Sequence, residues 1–139
     1  MADLESQLNA LNAKKTERGM VVTLGDLLFD SGKSKVLAAG SQSMAQLAEF
    51  FQRNPERTAT IEGYTDNVGS EESNRRLSDR RADAVKTVLV RLGVPANRLS
   101  TQGHGEDLPV ASNDTPAGRQ MNRRVEVVIS PDADVVSAR

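Results

Sequence analysis

Apolar and polar residues alternate along three short stretches of this chain, and in two longer stretches apolar residues recur every three or four positions. The alternation predicts strands at residues 20–27, 58–63 and 125–129, and we expect a further short strand at residues 99–103. The helical spacing predicts helices at residues 41–52 and 73–92. Residues 104–121 form a polar loop whose length is typical of functional loops or of loops that carry a short helix.

The predicted order β-α-β-α-β-β indicates the fold class. Helices between strands imply right-handed crossovers and a partly parallel sheet. Two crossovers wound in the same direction place both long helices on one face, so we expect an α/β (α+β) two-layer sandwich with a mixed sheet. We assign residues 1–18 to a linker or helical stub, residues 19–130 to the folded domain and residues 131–139 to a disordered tail.

One arginine lies within the apolar stripe of the second predicted helix. At about 100° per residue, Leu77 and Val85 lie about 40° to either side of Arg81, and Val88 and Leu92 lie within about 20° of it. A guanidinium that faces the core costs free energy unless an acid pairs with it. We therefore expect an acidic residue to face Arg81.

Asp66 is the nearest acidic candidate, because it follows the end of the second predicted strand. Ligands of α/β sheets bind beyond the carboxyl ends of the strands. An Asp66–Arg81 pair would offer an anion and a planar double donor, which match the ammonium and the carboxylate of an amino acid. The alternative is a structural ion pair that closes a turn onto the helix, and spacing alone favours that alternative.

Charge and composition exclude several classes of function. The chain has 18 Lys and Arg against 19 Asp and Glu, and this balance argues against general nucleic-acid binding. Its 139 residues include no cysteine, which excludes disulfides and thiol catalysis, and His104 is the only histidine. We therefore expect no metal and no cofactor. No apolar run reaches the roughly 18 residues of a membrane span, so we expect no membrane insertion by this chain.

Three groups of residues resemble the motifs of OmpA-like peptidoglycan-binding domains, and together they cover roughly residues 20–130. The run at residues 61–70 resembles the family's Gly-x-Thr-Asp turn. The helix signature is matched at Asn74, Leu77, Ser78, Arg81, Ala82, Val85 and Leu89. The third group comprises Gly103, Gly105, Glu106, Pro109, Asn113, Thr115 and the run Asn122-Arg123-Arg124-Val125-Glu126.

The resemblance implies binding of the peptidoglycan stem peptide through its meso-diaminopimelate. Asp66 and Arg81 match the residues that grip the free amino-acid end of diaminopimelate in the family. The other residues that the resemblance places at the site are Arg124, Phe29, Asp30, Ser31, Asn74, Leu77 and Ser78. Many members carry Asn or Asp where this chain has Gly32, so one side-chain contact from that loop is expected to be missing. Arg124 could equally pair with a carboxylate of the sheet.

These expectations describe a non-catalytic module that tethers the outer membrane or an envelope complex to the cell wall. The resemblance implies a periplasmic location, with an outer-membrane anchor in a segment absent from this chain. A wall-cleaving hydrolase is the less favoured reading, because Arg81 beside Asp66 would keep that carboxylate ionised and make it a poor general acid. The second alternative is a self-assembly domain in which residues 1–18 drive dimerisation and the Asp66–Arg81 pair is purely structural.

Overall fold

The computed structural model describes residues 13–16, 19–24 and 41–129. The strands of this part are β1 (Lys14–Thr16), β2 (Gly19–Leu24), β3 (Ala59–Tyr64), β4 (Leu99–Gly103) and β5 (Arg124–Ile129). Its α-helices are α1 (Ser41–Arg53), α2 (Glu71–Arg91) and α3 (Pro116–Asn122). The predicted helices and strands agree with these bounds to within two residues wherever both of their ends are described. The short helix α3 confirms that the polar loop carries a helix.

The strands form one mixed sheet in the order β1-β2-β5-β3-β4. Strands β3 and β4 are parallel, because α2 crosses over between them, and the other pairs are antiparallel. Met44 of α1 and Val85 of α2 belong to the same buried core as Ile61 and Val127 of the two central strands. Both long helices therefore pack on one face of the sheet, and the α+β sandwich with a mixed sheet is confirmed.

Strand β1 differs from the sequence expectation. Lys14–Thr16 pair antiparallel with β2, which corrects the linker or helical stub expected for residues 1–18 at this segment. Three residues are too few to display an alternating pattern, so the strand exists because β2 offers an edge to it. Residues 1–12 and 131–139, for which a stub and a disordered tail are expected, lie outside the described residues.

Two glycines bring α2 unusually close to the sheet. A Cβ atom on Gly63 of β3 would collide with the carbonyl group of Ser78. A Cβ atom on Gly103 of β4 would lie 2.6 Å from the Ser78 hydroxyl. Because neither glycine has a side chain, the first half of α2 lies directly on the carboxyl ends of β3 and β4, where the candidate site is located.

Among the described residues, none of the helices combines the length and the apolar composition that crossing a membrane requires.

Candidate functional site

Asp66 lies two residues beyond β3, and its carboxylate is held from two sides. Its Oδ1 accepts a hydrogen bond of 3.0 Å from the backbone N–H of Val68. Its Oδ2 accepts one of 2.6 Å from Nη1 of Arg123. The Asp66 side chain is 10% exposed and that of Arg123 is 30% exposed. The carboxylate is thus oriented before any ligand arrives, at a point that solvent still reaches.

Arg123 belongs to the candidate site through its contact with Asp66, although it is not among the residues expected there from the sequence. It lies between the end of α3 and the start of β5, and Tyr64 pairs with Arg124 across β3 and β5. Continuing this antiparallel register by one residue brings Arg123 opposite the segment that follows β3. The Arg123-Arg124 doublet was visible in the sequence, but only the register between the two strands decides which of the two arginines contacts Asp66.

Arg81 is buried as the helical periodicity predicted. It is 1% exposed in the middle of α2, between Ser78 and Val85, which are both fully buried. Leu77, on the same helix, is half-buried. A buried guanidinium needs polar partners, and Arg81 has interactions with other residues. Its pairing with Asp66 stays a prediction.

Asn74 connects α2 to the turn that carries Asp66. Its Nδ2 lies 3.2 Å from the backbone oxygen of Asp66, 3.0 Å from that of Val68 and 3.3 Å from Oε1 of Glu106. An amide has two N–H groups, so these three contacts share two protons. Asn74 is itself buried, and it holds the turn against the helix.

Ser78 performs the same role for the loop that follows β4. Its hydroxyl accepts a hydrogen bond of 2.8 Å from the N–H of Gly105 and donates one of 2.7 Å to the backbone oxygen of Arg75. The backbone of this loop also contacts the site, because the N–H of Thr65 donates to the oxygen of Gly105 at 2.7 Å. Ser78 therefore holds in place the loop after β4, which forms one wall of the site.

Arg124 contacts a different set of residues from Arg123. Its Nε donates to Oε2 of Glu126 at 2.7 Å, its Nη1 to the backbone oxygen of Asn122 at 3.1 Å and its Nη2 to that of Leu108 at 3.0 Å. The guanidinium carbon lies 3.9 Å from the centre of the Tyr64 ring. The pair with Glu126 corresponds to the structural alternative that the sequence left open.

Strand geometry explains this placement of Arg124. Successive side chains of a strand point to opposite faces of the sheet. Val125 and Val127 of β5 face the core, which both long helices cover. Arg124 and Glu126 consequently lie on the other face, and they are only 5% and 8% exposed.

A second aromatic contact completes this opposite face. The ring of His104 stacks on that of Tyr64, with centres 4.8 Å apart and planes inclined by 16°. The Tyr64 hydroxyl donates to Oε1 of Glu62 at 2.6 Å. Nε2 of His104 lies 3.3 Å from the same Glu62 oxygen, but without hydrogen-bonding geometry.

Among the described residues, no three His, Cys, Asp or Glu side chains converge as a metal site would require.

Phe29, Asp30 and Ser31, with the departure at Gly32, lie outside the described residues. The described walls of the site are formed by β3, α2, β4 and the start of β5. On these walls, the Asp66 carboxylate is held in place and is paired with the guanidinium of Arg123. Such an arrangement suits a ligand that carries an ammonium and a carboxylate close together.

Comparisons with known proteins show which family the chain resembles. The family model described as the OmpA family matches residues 28–123. Outer membrane porin F of Pseudomonas aeruginosa is 44% identical over 109 residues, which cover 78% of this chain and 31% of the porin. The peptidoglycan-binding protein ArfA of Mycobacterium tuberculosis is 39% identical over 129 residues, which cover 93% of this chain and 36% of ArfA. The chain thus spans about a third of the length of these two relatives.

Solved structures show the same likeness. The peptidoglycan-associated lipoprotein of Burkholderia pseudomallei superposes with a TM-score of 0.72 at 30% identity, covering 78% of this chain and 89% of that structure. The family match extends over the predicted loop at residues 28–31, the turn at Asp66, helix α2 and Arg123. The chain belongs to the OmpA family.

Proposed function

We propose that this domain binds peptidoglycan without catalysis, through the meso-diaminopimelate of the stem peptide. One observation carries the proposal: the Asp66 carboxylate is nearly buried and is held by Val68 and Arg123 beyond the carboxyl end of β3. The names of ArfA and of the peptidoglycan-associated lipoprotein support peptidoglycan as the ligand. The binding of diaminopimelate in particular rests on the charges at the site and on the resemblance.

Each half of the diaminopimelate head has a partner in this proposal. Asp66 accepts hydrogen bonds from the ligand ammonium, and Arg81 donates two to the ligand carboxylate. Asn74 and Ser78 hold the walls, with Leu77 beside them, and Phe29, Asp30 and Ser31 close one side. Arg124 supports the site from the opposite face of the sheet, because it holds the backbone of Leu108.

The cell wall lies in the periplasm, so we propose that location for the domain. Its natural role is then to tether an outer-membrane protein or an envelope complex to the wall, with an anchor in a segment outside this chain. The boundary of the folded domain at residue 130 belongs to the same proposal. At the N-terminal side, β1 belongs to the sheet, so the domain includes Lys14–Thr16 as well as the expected residues 19–130.

The test is a pair of calorimetric titrations with stem tetrapeptides that differ only in carrying meso-diaminopimelate or lysine. In a stem peptide, lysine presents an ammonium without the neighbouring carboxylate, so we expect tight binding of the diaminopimelate peptide only. Asp66→Asn should weaken that binding at least about tenfold, because it removes a charge-assisted contact. Glu49→Gln is the matched control, since Glu49 is exposed and paired with Arg53 at the end of α1.

Failure of the unaltered protein to bind the diaminopimelate peptide would contradict the proposal. Normal binding by a folded Asp66→Asn variant would contradict the role of Asp66. If the unaltered protein does not bind the diaminopimelate peptide, the self-assembly alternative becomes the favoured function. Analytical ultracentrifugation of the chain with and without residues 1–12 tests that alternative directly.

A further inference from the structure

The carboxylate that we assign to the ligand ammonium already has a cationic partner in the protein. Nη1 of Arg123 lies 2.6 Å from Oδ2 of Asp66, and both side chains are shielded from solvent over most of their surface. Oδ1 of the same carboxylate is engaged by the N–H of Val68. A ligand ammonium therefore approaches a carboxylate whose charge is largely balanced.

This pairing affects two classes of ligand differently. A ligand that offers only an ammonium must either displace Arg123 from its counter-charge or lie beside it as a like charge, and both are unfavourable at a partly buried site. A ligand that offers an ammonium and a carboxylate exchanges both partners at once. Its ammonium pairs with Asp66, and its carboxylate pairs with the Arg123 guanidinium that Asp66 releases.

We infer that Arg123 is a specificity-determining residue, which makes the site select zwitterionic amino-acid heads over simple amines. This inference rests on the proposed function and adds to it a residue that neither the periodicity of the chain nor its resemblance to the family assigned. Arg81 supplies the buried donor to the ligand carboxylate, whereas Arg123 penalises every ligand that lacks one. Arg123 reaches Asp66 from the junction of α3 and β5, and Arg81 lies within α2.

The experiment measures the ratio of the dissociation constants of the two stem tetrapeptides, lysine over diaminopimelate. We expect Arg123→Gln to lower this ratio at least about fivefold, which is the scale of one partly exposed charge-assisted contact. The change should include tighter binding of the lysine peptide, because no guanidinium competes for Asp66. Arg123→Lys keeps a positive charge beside Asp66 and should retain most of the discrimination.

Arg53→Gln is the matched control, because it removes the same charge from an exposed ion pair with Glu49. A ratio that is equal in Arg123→Gln, in this control and in the unaltered protein would overturn the inference and leave the proposed function intact. Loss of affinity for both peptides by the same factor would also overturn it, since a merely structural role predicts that result.

A second measurement does not depend on any variant. In the unaltered protein, the guanidinium ¹⁵N resonances of Arg123 should shift when the diaminopimelate peptide binds and should stay unchanged at the same concentration of the lysine peptide. Unchanged Arg123 resonances in the diaminopimelate complex would overturn the inference. If the unaltered protein binds neither peptide, the proposed function itself fails, and the inference fails with it.

Discussion

At the scale of single residues, two adjacent arginines have different roles. Arg123 pairs with Asp66 at the candidate site, whereas Arg124 packs on Tyr64 and pairs with Glu126. The Arg124–Glu126 pair is almost fully buried. Removing one partner of a buried ion pair leaves the other charge uncompensated, which is far more costly than losing a pair on the surface.

We therefore predict that Arg124→Met lowers the free energy of unfolding by about 3 kcal/mol, because Glu126 loses its counter-charge in a buried position. Urea denaturation followed by circular dichroism measures this. Arg76→Met is the control, since Arg76 and Glu72 are 65% and 76% exposed. The control should change stability by less than about 1 kcal/mol. Equal losses of unfolding free energy in the two variants would contradict the prediction that the buried Arg124–Glu126 pair stabilises the fold more than an exposed pair does.

At the scale of elements, the start of α2 determines the geometry of the site. Ser70 precedes the helix, and its side chain accepts a hydrogen bond of 3.0 Å from the N–H of Ser73. Glu71 and Glu72 in the first turn interact favourably with the positive end of the helix dipole. The bare glycines at positions 63 and 103 let this first half of α2 lie on the sheet. Helix α2 therefore begins beside the turn that carries Asp66, and its residue Asn74 can hydrogen-bond to that turn.

We predict that Ser70→Ala lowers the free energy of unfolding by about 1 kcal/mol, the usual cost of an N-cap lost to alanine. Ser73→Ala is the control, because Ser73 contributes its backbone N–H to the cap and its side chain is exposed. Thermal unfolding of both variants measures the difference. A larger loss in Ser73→Ala would contradict the assignment of Ser70 as the cap.

At the scale of the whole molecule, the candidate site and the contacts of Arg98 lie at opposite ends of β3. Asp66 follows the carboxyl end of this strand, whereas Arg98 ties together the segments before its amino end. The guanidinium of Arg98 donates to the backbone oxygens of Arg57, Phe51 and Asn54 at 2.7–2.9 Å. Desolvation by burial lowers the pKa of Arg98 from its ordinary value, and the charge of Glu56 opposes that shift.

We predict that Arg98→Met lowers the free energy of unfolding by about 2 kcal/mol, because three backbone oxygens lose a charged donor. The affinity of the folded variant for the diaminopimelate peptide should stay unchanged, since Arg98 lies at the other end of β3. Chemical denaturation and calorimetric titration of one preparation measure both quantities. Arg91→Met, at the exposed end of α2, is the control. A lower affinity of the folded Arg98→Met variant for the diaminopimelate peptide would contradict the prediction that Arg98 affects stability without affecting binding.

Local information was sufficient for the two long helices, for most of the strands and for the burial of Arg81. Helical periodicity placed Arg81 in the buried stripe of α2, and the structure confirms its burial at 1% exposure. Strands β3 and β5 followed from the alternation of apolar and polar residues. Periodicity reports which side of an element is buried, because that depends on residues a few positions apart. It also located Asp66 just beyond a strand.

The tertiary structure decided which partners meet. Strand β5 lies between β2 and β3, and its register against β3 brings Arg123, and not Arg124, to Asp66. Strand β1 likewise exists only as a partner of β2. Pairing across a sheet joins residues that are far apart in the chain, and a shift of one position moves every side chain to the opposite face. No local pattern encodes that choice, so the sequence identified the arginine doublet and only the assembled sheet determined the role of each member.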